Sequence, residues 1–491
     1  MERRKLQFEL PVFNSNLSVN DIRNFVLNFR LKSEMDVIIL IFWISLQSFL
    51  YVESLFPKID YYEPVELISS NADLINNVLV PNQRVKTESS SLFISDSNSD
   101  NIYVIFRAFQ KTFDIRLFPD TSVISPTTKI TVYGGSEGSL NGTSYDVSKD
   151  VLYSGHLKDM PDSTVYGYFT KGVFVGTIRG DNITYYTDVA DDKYFTVNGS
   201  YKSFMYRASD FTLCDSKSPN ICKEIDHYKE GPRVADRSSR SQGMNQTVSQ
   251  KPILNKFGFW KSTKVCGMEV VASNTFYAAK GKDEKAATSE MTYYIKTAND
   301  AFVDTNFDVG FKAGLHIDKV TVYASETDDP FNGVTGKAEK FLEKLTSLEQ
   351  SYCLSLAFFN ENFPNHVMGL AYKPSPGVTG GICQKPVEMN GATTYLNTLI
   401  ATIKHEDTPV PKLGVAVIVS HELGHSFGGP HDKEGVVDKC SPGDDDDGNY
   451  IMYPAANSGK KPNHLKFSSC SIEKMSAMLK EKGYYEEPLD K

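Results

Sequence analysis

The sequence predicts a mostly β region followed by a domain of the α/β (α+β) class, and three observations support this division. The length of 491 residues exceeds what one hydrophobic core usually organises. Short β-type runs separated by Gly, Asn and Asp follow one another over residues 55–230, whereas strand-like and helix-like segments alternate over residues 252–491. The stretch 231–251 between them is polar, and we interpret it as an exposed linker.

The N-terminal segment contains the only strongly apolar run of the chain, from Val37 to Leu50. The run is short for a membrane span, so we predict a signal peptide over residues 35–54. If translation starts at Met35, residues 1–34 are a doubtful N-terminal extension. An uncleaved signal anchor and a buried core strand are the alternatives, and only the anchor would attach the protein to a membrane.

The β region shows its character in runs of β-branched and aromatic residues bounded by turn residues. We expect strands within residues 101–106, 166–178 and 183–186.

The second region alternates between the two kinds of element, which implies a mixed sheet covered by helices. We expect strands at 265–272, 319–324, 354–359 and 367–372, and helices at 287–302 and 337–348.

A histidine-rich motif, HELGHSFGGPHD, occupies residues 421–432. The preceding segment Leu413–Val419 is apolar nearly all round, which predicts a buried helix. On a helix His421 and His425 lie one turn apart on the same face, so both can bind one ion. Gly428 permits the sharp reversal that brings His431 towards them.

This motif predicts metal-dependent hydrolysis. Three neutral imidazoles suit Zn²⁺ and leave a fourth position for water. Glu422 would take the proton of that water as general base and later deliver it to a leaving amine. A helix with coincidental histidines is the alternative, but the extended HExxHxxGxxH pattern is far more specific than HExxH alone.

The motif resembles that of metzincin proteases, and Asp432 after the third histidine resembles the adamalysin (ADAM, or reprolysin) branch. Within that branch the likeness is greatest to the tumour necrosis factor-α converting enzyme group. The matching stretches are VCGMEVVASNTFY (265–277), MGLAY (368–372), GGIC (380–383), IMYP (451–454) and FSSCS (467–471). The resemblance implies a twisted mixed sheet above a zinc-binding helix, and a metalloendopeptidase acting on protein or peptide substrates.

The resemblance also implies roles around the cleft. Met452 would form the Met-turn beneath the zinc histidines, although alone it would be read as core filler. Met368 and Gly369 would belong to an edge strand that pairs with an extended substrate, with a plain core strand as the alternative. Tyr453 would wall the pocket for the residue after the scissile bond.

Latency is implied by the segment PNIC, which resembles a cysteine switch in which the Cys222 thiolate occupies the open zinc position. A Cys214–Cys222 disulfide is the alternative. Arg237 and Arg240 form a furin-type site in the polar linker, where a proprotein convertase would remove the prodomain (residues 55–230).

The cysteine pattern of the family pairs Cys266 with Cys353 and Cys440 with Cys470. It pairs Cys383 with a cysteine beyond the last helix, and the sequence has none there. We therefore expect either a Cys383 thiol or a truncated sequence.

Composition and surface motifs favour an extracellular location over nucleic-acid binding. A balance of 52 basic to 61 acidic residues, without a basic run, argues against nucleic acid. Four Asn-x-Ser/Thr acceptors after the signal segment are compatible with a secreted glycoprotein: Asn141, Asn182, Asn198 and Asn245. A secreted soluble protease is expected; a membrane-anchored sheddase and a non-catalytic binding protein are the alternatives.

Overall fold

The computed structural model describes residues 58–59, 61–70, 102–134, 143–147, 150–190, 202–212, 263–406, 408–443, 447–455 and 461–482. The chain divides into two compact units, Met1–Leu55 and Phe56–Lys491, and every described residue belongs to the second unit. The signal segment, Cys214, Cys222 and the furin-type arginines lie outside the described residues, as do three of the glycosylation acceptors; Asn182 is described. These assignments and the domain boundaries stay predictions.

The described strands follow in chain order. They are β1 (Lys58–Ile59), β2 (Glu63–Pro64), β3 (Glu66–Ser70), β4 (Ile102–Ala108), β5 (Lys111–Pro119), β6 (Ile124–Tyr133), β7 (Thr143–Asp146), β8 (Tyr153–Leu157), β9 (Met160–Thr170), β10 (Val173–Gly180), β11 (Ile183–Val189), β12 (Ser203–Arg207), β13 (Phe211–Thr212), β14 (Thr263–Ala272), β15 (Lys312–Tyr323), β16 (Leu354–Phe359), β17 (Gly369–Ala371), β18 (Val387–Met389), β19 (Ala392–Thr394), β20 (Thr398–Thr402), β21 (Lys404–His405) and β22 (Thr408–Pro409).

The described α-helices all follow β13. They are α1 (Asn274–Ala279), α2 (Glu284–Asp304), α3 (Ala338–Thr346), α4 (Lys412–Ser426) and α5 (Ser469–Lys482). None of the described helices is both long and apolar enough to cross a membrane.

The first region forms a sheet of described strands in the order β2-β12-β11-β10-β9-β8-β5-β4-β3. Along β4, buried side chains alternate with less buried ones, as expected when one face of a strand packs on a core. The expected run 166–178 is two strands rather than one. Lys171 and Gly172, both at positive φ, form the two-residue turn between β9 and β10.

The second sheet has the order β17-β20-β16-β14-β15-β6-β7. Its neighbours from β20 to β6 are parallel, whereas β17 and β7 pair antiparallel at the two edges. A mixed sheet with helices is therefore present, as predicted. The strand β6 comes from the first region and pairs with β15 through Ile130 and Val320, so the two sequence patterns share one sheet.

The helix α4 begins directly after Pro411, and every residue from Leu413 to Ser426 is buried. The apolar sequence predicts this burial, since the helix has no polar stripe to expose. Its first residue, Lys412, is an unfavourable cation near a helix N-terminus, where carboxylates are favoured. Glu290 of α2 and Asp188 of β11 supply that negative charge, with oxygens 3.2 and 3.7 Å from the Lys412 Nζ atom. A buried ionic contact thus joins the first region to α4.

Candidate active site

Two histidines on α4, His421 and His425, each direct the Nε2 atom of the ring towards the same region. His421 and His425 are buried, one helical turn apart. The Nδ1 atom of His421 lies 2.6 Å from the Ile451 carbonyl oxygen, and that of His425 lies 2.7 Å from the Gly429 carbonyl oxygen. Each Nδ1 therefore carries the proton and donates it, which leaves both Nε2 atoms as metal-binding lone pairs.

The third histidine arrives through a reversal directly after α4. Gly428 has φ of 91° and donates its N–H to the His425 carbonyl oxygen at 2.8 Å. A Cβ atom at this glycine would come within 2.3 Å of Met478, so backbone conformation and packing both favour glycine here. The reversal places His431 Nε2 3.1 Å from His425 Nε2.

The donor set of His421, His425 and His431 fits a zinc ion. The ligand atoms of the three rings lie within 4.8 Å of one another. Tetrahedral Zn²⁺ with bonds of about 2.0–2.1 Å to nitrogen requires nitrogen separations of about 3.4 Å, which small ring movements from this arrangement provide. Among the described residues, these three histidines are the one group of three or more His, Cys, Asp or Glu side chains close enough together to bind a metal ion.

Met452 packs against α4 at Gly424, which lies between His421 and His425 in sequence. The side chain is fully buried, and its Sδ atom is 2.3 Å from where a Cβ atom on Gly424 would stand. Gly424 is glycine because the methionine fills that space. The Met452 carbonyl oxygen accepts a hydrogen bond from the N–H of Asp432 at 2.8 Å, so the turn also holds the segment carrying the third histidine.

Asp432 connects the third-histidine segment to the start of α5. Its Oδ1 atom accepts hydrogen bonds from the hydroxyls of Ser468, at 2.6 Å, and Ser471, at 3.1 Å. Burial raises the pKa of Asp432, against the lowering effect of these two hydrogen bonds. The sequence marked the stretch 467–471 only as a family match, and no local signal predicted that its serines bind Asp432.

Glu422 and the edge strand β17 are in direct contact. The Glu422 side chain is 1% exposed, and a Cβ atom on Gly369 would lie 2.2 Å from its Oε1 atom. Directly before β17 the carbonyl oxygen of Met368 accepts a hydrogen bond from the N–H of Thr402 at 2.9 Å, so this group faces β20. By the alternation of an antiparallel pair, the main chains of Gly369 and Ala371 face away from β20, on the outer side of the last described strand of the sheet.

The remaining predicted residues divide between described and undescribed segments. Tyr453 follows Met452 and is partly exposed. The disulfides Cys266–Cys353 and Cys440–Cys470 are both present, as the resemblance implies. The second of these ties the loop after Asp432 to α5.

The described site falls within a stretch that is similar to a known peptidase family. Residues 285–481 match the family described as Metallo-peptidase family M12B Reprolysin-like. This match and the relatives below support a zinc metalloendopeptidase of the ADAM/reprolysin type.

Several relatives share sequence with large parts of the chain. Disintegrin and metalloproteinase domain-containing protein 10 of Xenopus laevis is 25% identical over 91% of this chain and 59% of its own length. The human protein of the same name is 28% identical over 77% of this chain and 51% of its own length. The Caenorhabditis elegans homolog of protein 17 is 29% identical over 42% of this chain and 34% of its own length.

The chain thus spans at most about three fifths of these relatives. The chain is similar both to protein 10 and to the homolog of protein 17. The finer likeness to the tumour necrosis factor-α converting enzyme group therefore stays a prediction. A solved structure, metalloproteinase-II from Bacteroides fragilis, aligns with 77% of this chain and 90% of its own at 12% identity and a TM-score of 0.36, too low to support an argument.

Proposed function

We propose that the chain is a latent zinc endopeptidase of extracellular proteins, with Glu422 as general base. The observation that carries this proposal is the convergence of three imidazole Nε2 atoms beside a buried glutamate, next to the edge strand β17. His421, His425 and His431 would hold the ion, and their fixed Nδ1 hydrogen bonds support that role. When bound, zinc supplies a Lewis acid that polarises the scissile carbonyl and activates water.

Glu422 moves the proton in this mechanism. Its neighbours in sequence and space are a metal-binding histidine on α4 and Gly369 on β17. A carboxylate in this position can accept a proton from the attacking water and donate it to the nitrogen of the leaving amine. Gly369 leaves the carboxylate room beneath the strand, because any side chain at this position would overlap with it.

The substrate would bind along β17. The main chains of Gly369 and Ala371 face away from β20, and an extended peptide would add to the sheet on that side by β-augmentation. Such binding would place a scissile bond near Glu422. Tyr453 would then line the pocket for the side chain that follows this bond, and Met452 would support the histidines from below.

Latency and location belong to the same proposal. Cys222 would block the metal site until a proprotein convertase cleaves after Arg240, with Arg237 completing its recognition site. Cys222 lies near the end of the β region and the two arginines lie in the linker that follows it, which supports this order of events. The signal-like segment and the two disulfides support a secreted protein. Its substrates would then be extracellular or cell-surface polypeptides.

The test compares the wild type with Glu422→Ala, each cleaved after Arg240, on a library of quenched peptides. Loss of a general base lowers kcat by about 10²- to 10⁴-fold while zinc content stays at one ion per chain. Glu434→Gln alters an exposed acid in the loop after the motif and should leave activity unchanged. A zinc-loaded, folded wild type without activity on any peptide would instead indicate a binding protein.

Latency has its own measurement. The uncleaved chain should be inactive, and uncleaved Cys222→Ser should gain activity without cleavage. Equal inactivity of both uncleaved proteins would contradict the cysteine switch while leaving the catalytic proposal intact.

A further inference from the structure

Three cysteine sulfurs, those of Cys266, Cys353 and Cys383, lie close together. Cys266 of β14 forms a disulfide with Cys353, which directly precedes β16. Cys383 takes part in neither described disulfide and carries a thiol. Its Sγ atom lies only 3.0 Å from the Sγ atom of Cys353. A thiol in contact with a disulfide sulfur has the arrangement that thiol–disulfide exchange requires.

The main chain holds this contact in place. The Cys383 N–H donates to the Cys353 carbonyl oxygen at 2.9 Å, and the neighbouring Gly381 N–H donates to the Leu396 carbonyl oxygen at 2.9 Å. Main chains joined by such a bond lie about 4.8 Å apart, as in adjacent strands, and disulfides span Cα separations of about 4.4–6.8 Å. A Cys353–Cys383 bond can therefore form without moving either backbone far.

A lysine supplies positive charge beside the thiol. The Lys482 Nζ atom donates to the Gly380 carbonyl oxygen at 2.5 Å and to Gln384 Oε1 at 2.9 Å, on either side of Cys383 in sequence. Burial lowers the pKa of Lys482 to about 8, while Cys383 acts to raise it. The ammonium form therefore predominates at neutral pH, and a nearby cation favours the nucleophilic thiolate.

We propose that Cys383 is an internal exchange site that opens the Cys266–Cys353 disulfide. The Cys383 thiolate attacks Cys353 Sγ, a Cys353–Cys383 bond forms, and the Cys266–Cys353 bond breaks. The electron pair of the broken bond leaves on the Cys266 sulfur, which takes up the proton that Cys383 released. The number of thiols and disulfides is the same before and after, so no oxidant or reductant is consumed.

The exchange changes which elements are covalently joined. Before it, Cys353 is tied to β14, a strand inside the sheet; after it, Cys353 is tied to the loop 380–384. That loop contacts the end of α4, because the Ile382 N–H donates to the Ser426 carbonyl oxygen at 2.9 Å. The exchanged bond would therefore fix the loop that supports the C-terminal end of the histidine-bearing helix. Cys266 is fully buried, so the original bond is expected to remain the major form.

The experiment maps disulfides in the folded full chain after incubation at neutral pH, acid quenching and digestion without reduction. Wild type should yield a Cys353–Cys383 peptide beside the Cys266–Cys353 peptide within minutes to hours, the time scale of uncatalysed exchange. Lys482→Met should slow its appearance severalfold. Cys383→Ser is the matched control and should retain only the Cys266–Cys353 peptide, and Cys440–Cys470 should stay constant in every sample.

A second variant keeps the test decisive if exchange in the wild type is slow. Cys266→Ser, reduced and then oxidised with a small disulfide while folded, should join Cys353 to Cys383. The proposal is overturned if wild type shows only Cys266–Cys353 throughout and the thiols of Cys353 and Cys383 in the folded variant both stay open to alkylation.

Discussion

Replacing Glu290 by glutamine should be among the most destabilising conservative changes in this protein. The Glu290 side chain is 4% exposed. Lys280 Nζ lies 2.6 Å from one carboxylate oxygen and Lys412 Nζ lies 3.2 Å from the other. The hydroxyls of Tyr294 and Tyr168 donate to it at 2.7 and 3.0 Å. Glu290→Gln keeps the shape and removes the charge that holds two buried ammonium groups.

The magnitude follows from the pKa of Glu290. Burial alone would raise it, but the ammonium groups of Lys280 and Lys412 lower it to about 2, from an ordinary value of 4.5. At about 1.4 kcal/mol per unit, this difference corresponds to about 3 kcal/mol of stability. Breaking a buried ion pair by removing one partner costs a similar amount, about 3–5 kcal/mol. Because the folded pKa is the lower one, the stabilisation is complete above pH 4.5 and disappears as the pH falls towards 2.

The assay is urea unfolding of the purified chain at neutral and acidic pH. Glu290→Gln should lose about 3 kcal/mol near neutrality, and its difference from wild type should shrink as the pH falls towards 2. Asp188→Asn is the matched control in the same network. Burial raises the Asp188 pKa more than Lys412 lowers it, so its charge stabilises the fold less. Equal unfolding of Glu290→Gln and wild type, or equal losses in both variants, would refute this reasoning.

Three further predictions concern the site. Gly369→Ala should displace the Glu422 carboxylate and lower kcat/KM by about 10²-fold, with zinc content unchanged; normal activity would show that the contact is unimportant. Met452→Ala should remove fully buried packing beneath α4 and cost about 2–5 kcal/mol in thermal unfolding, unless the surroundings collapse into the space. A zinc chelator should lower the Tm of wild type, because bound ligand stabilises the folded state, but should not shift the Tm of His425→Ala.

Interactions between neighbouring residues explain why the helix and the reversal of the histidine motif could be predicted from the sequence. The spacing of His421 and His425 on an apolar segment specifies one helical face, and Gly428 specifies a reversal, since both features depend on neighbouring residues only. The structure has this helix and reversal, with His431 beside the other two rings. The alternation of strands and helices after residue 263 was likewise predictable, whereas the boundaries of β15 and β17 differ from expectation by several residues.

Tertiary structure alone decided the contacts between segments far apart in sequence. No local pattern places β6 beside β15, Gly369 against Glu422, or the Cys383 thiol on Cys353. Asp188 and Glu290, which meet at Lys412, are unremarkable acids in the sequence and become a buried network only when a sheet and two helices pack together. Backbone propensity and side-chain spacing act over a few residues, so they determine the local structure of the histidine motif. Which distant surfaces meet depends on how the whole chain buries its apolar area, and that is settled only by packing.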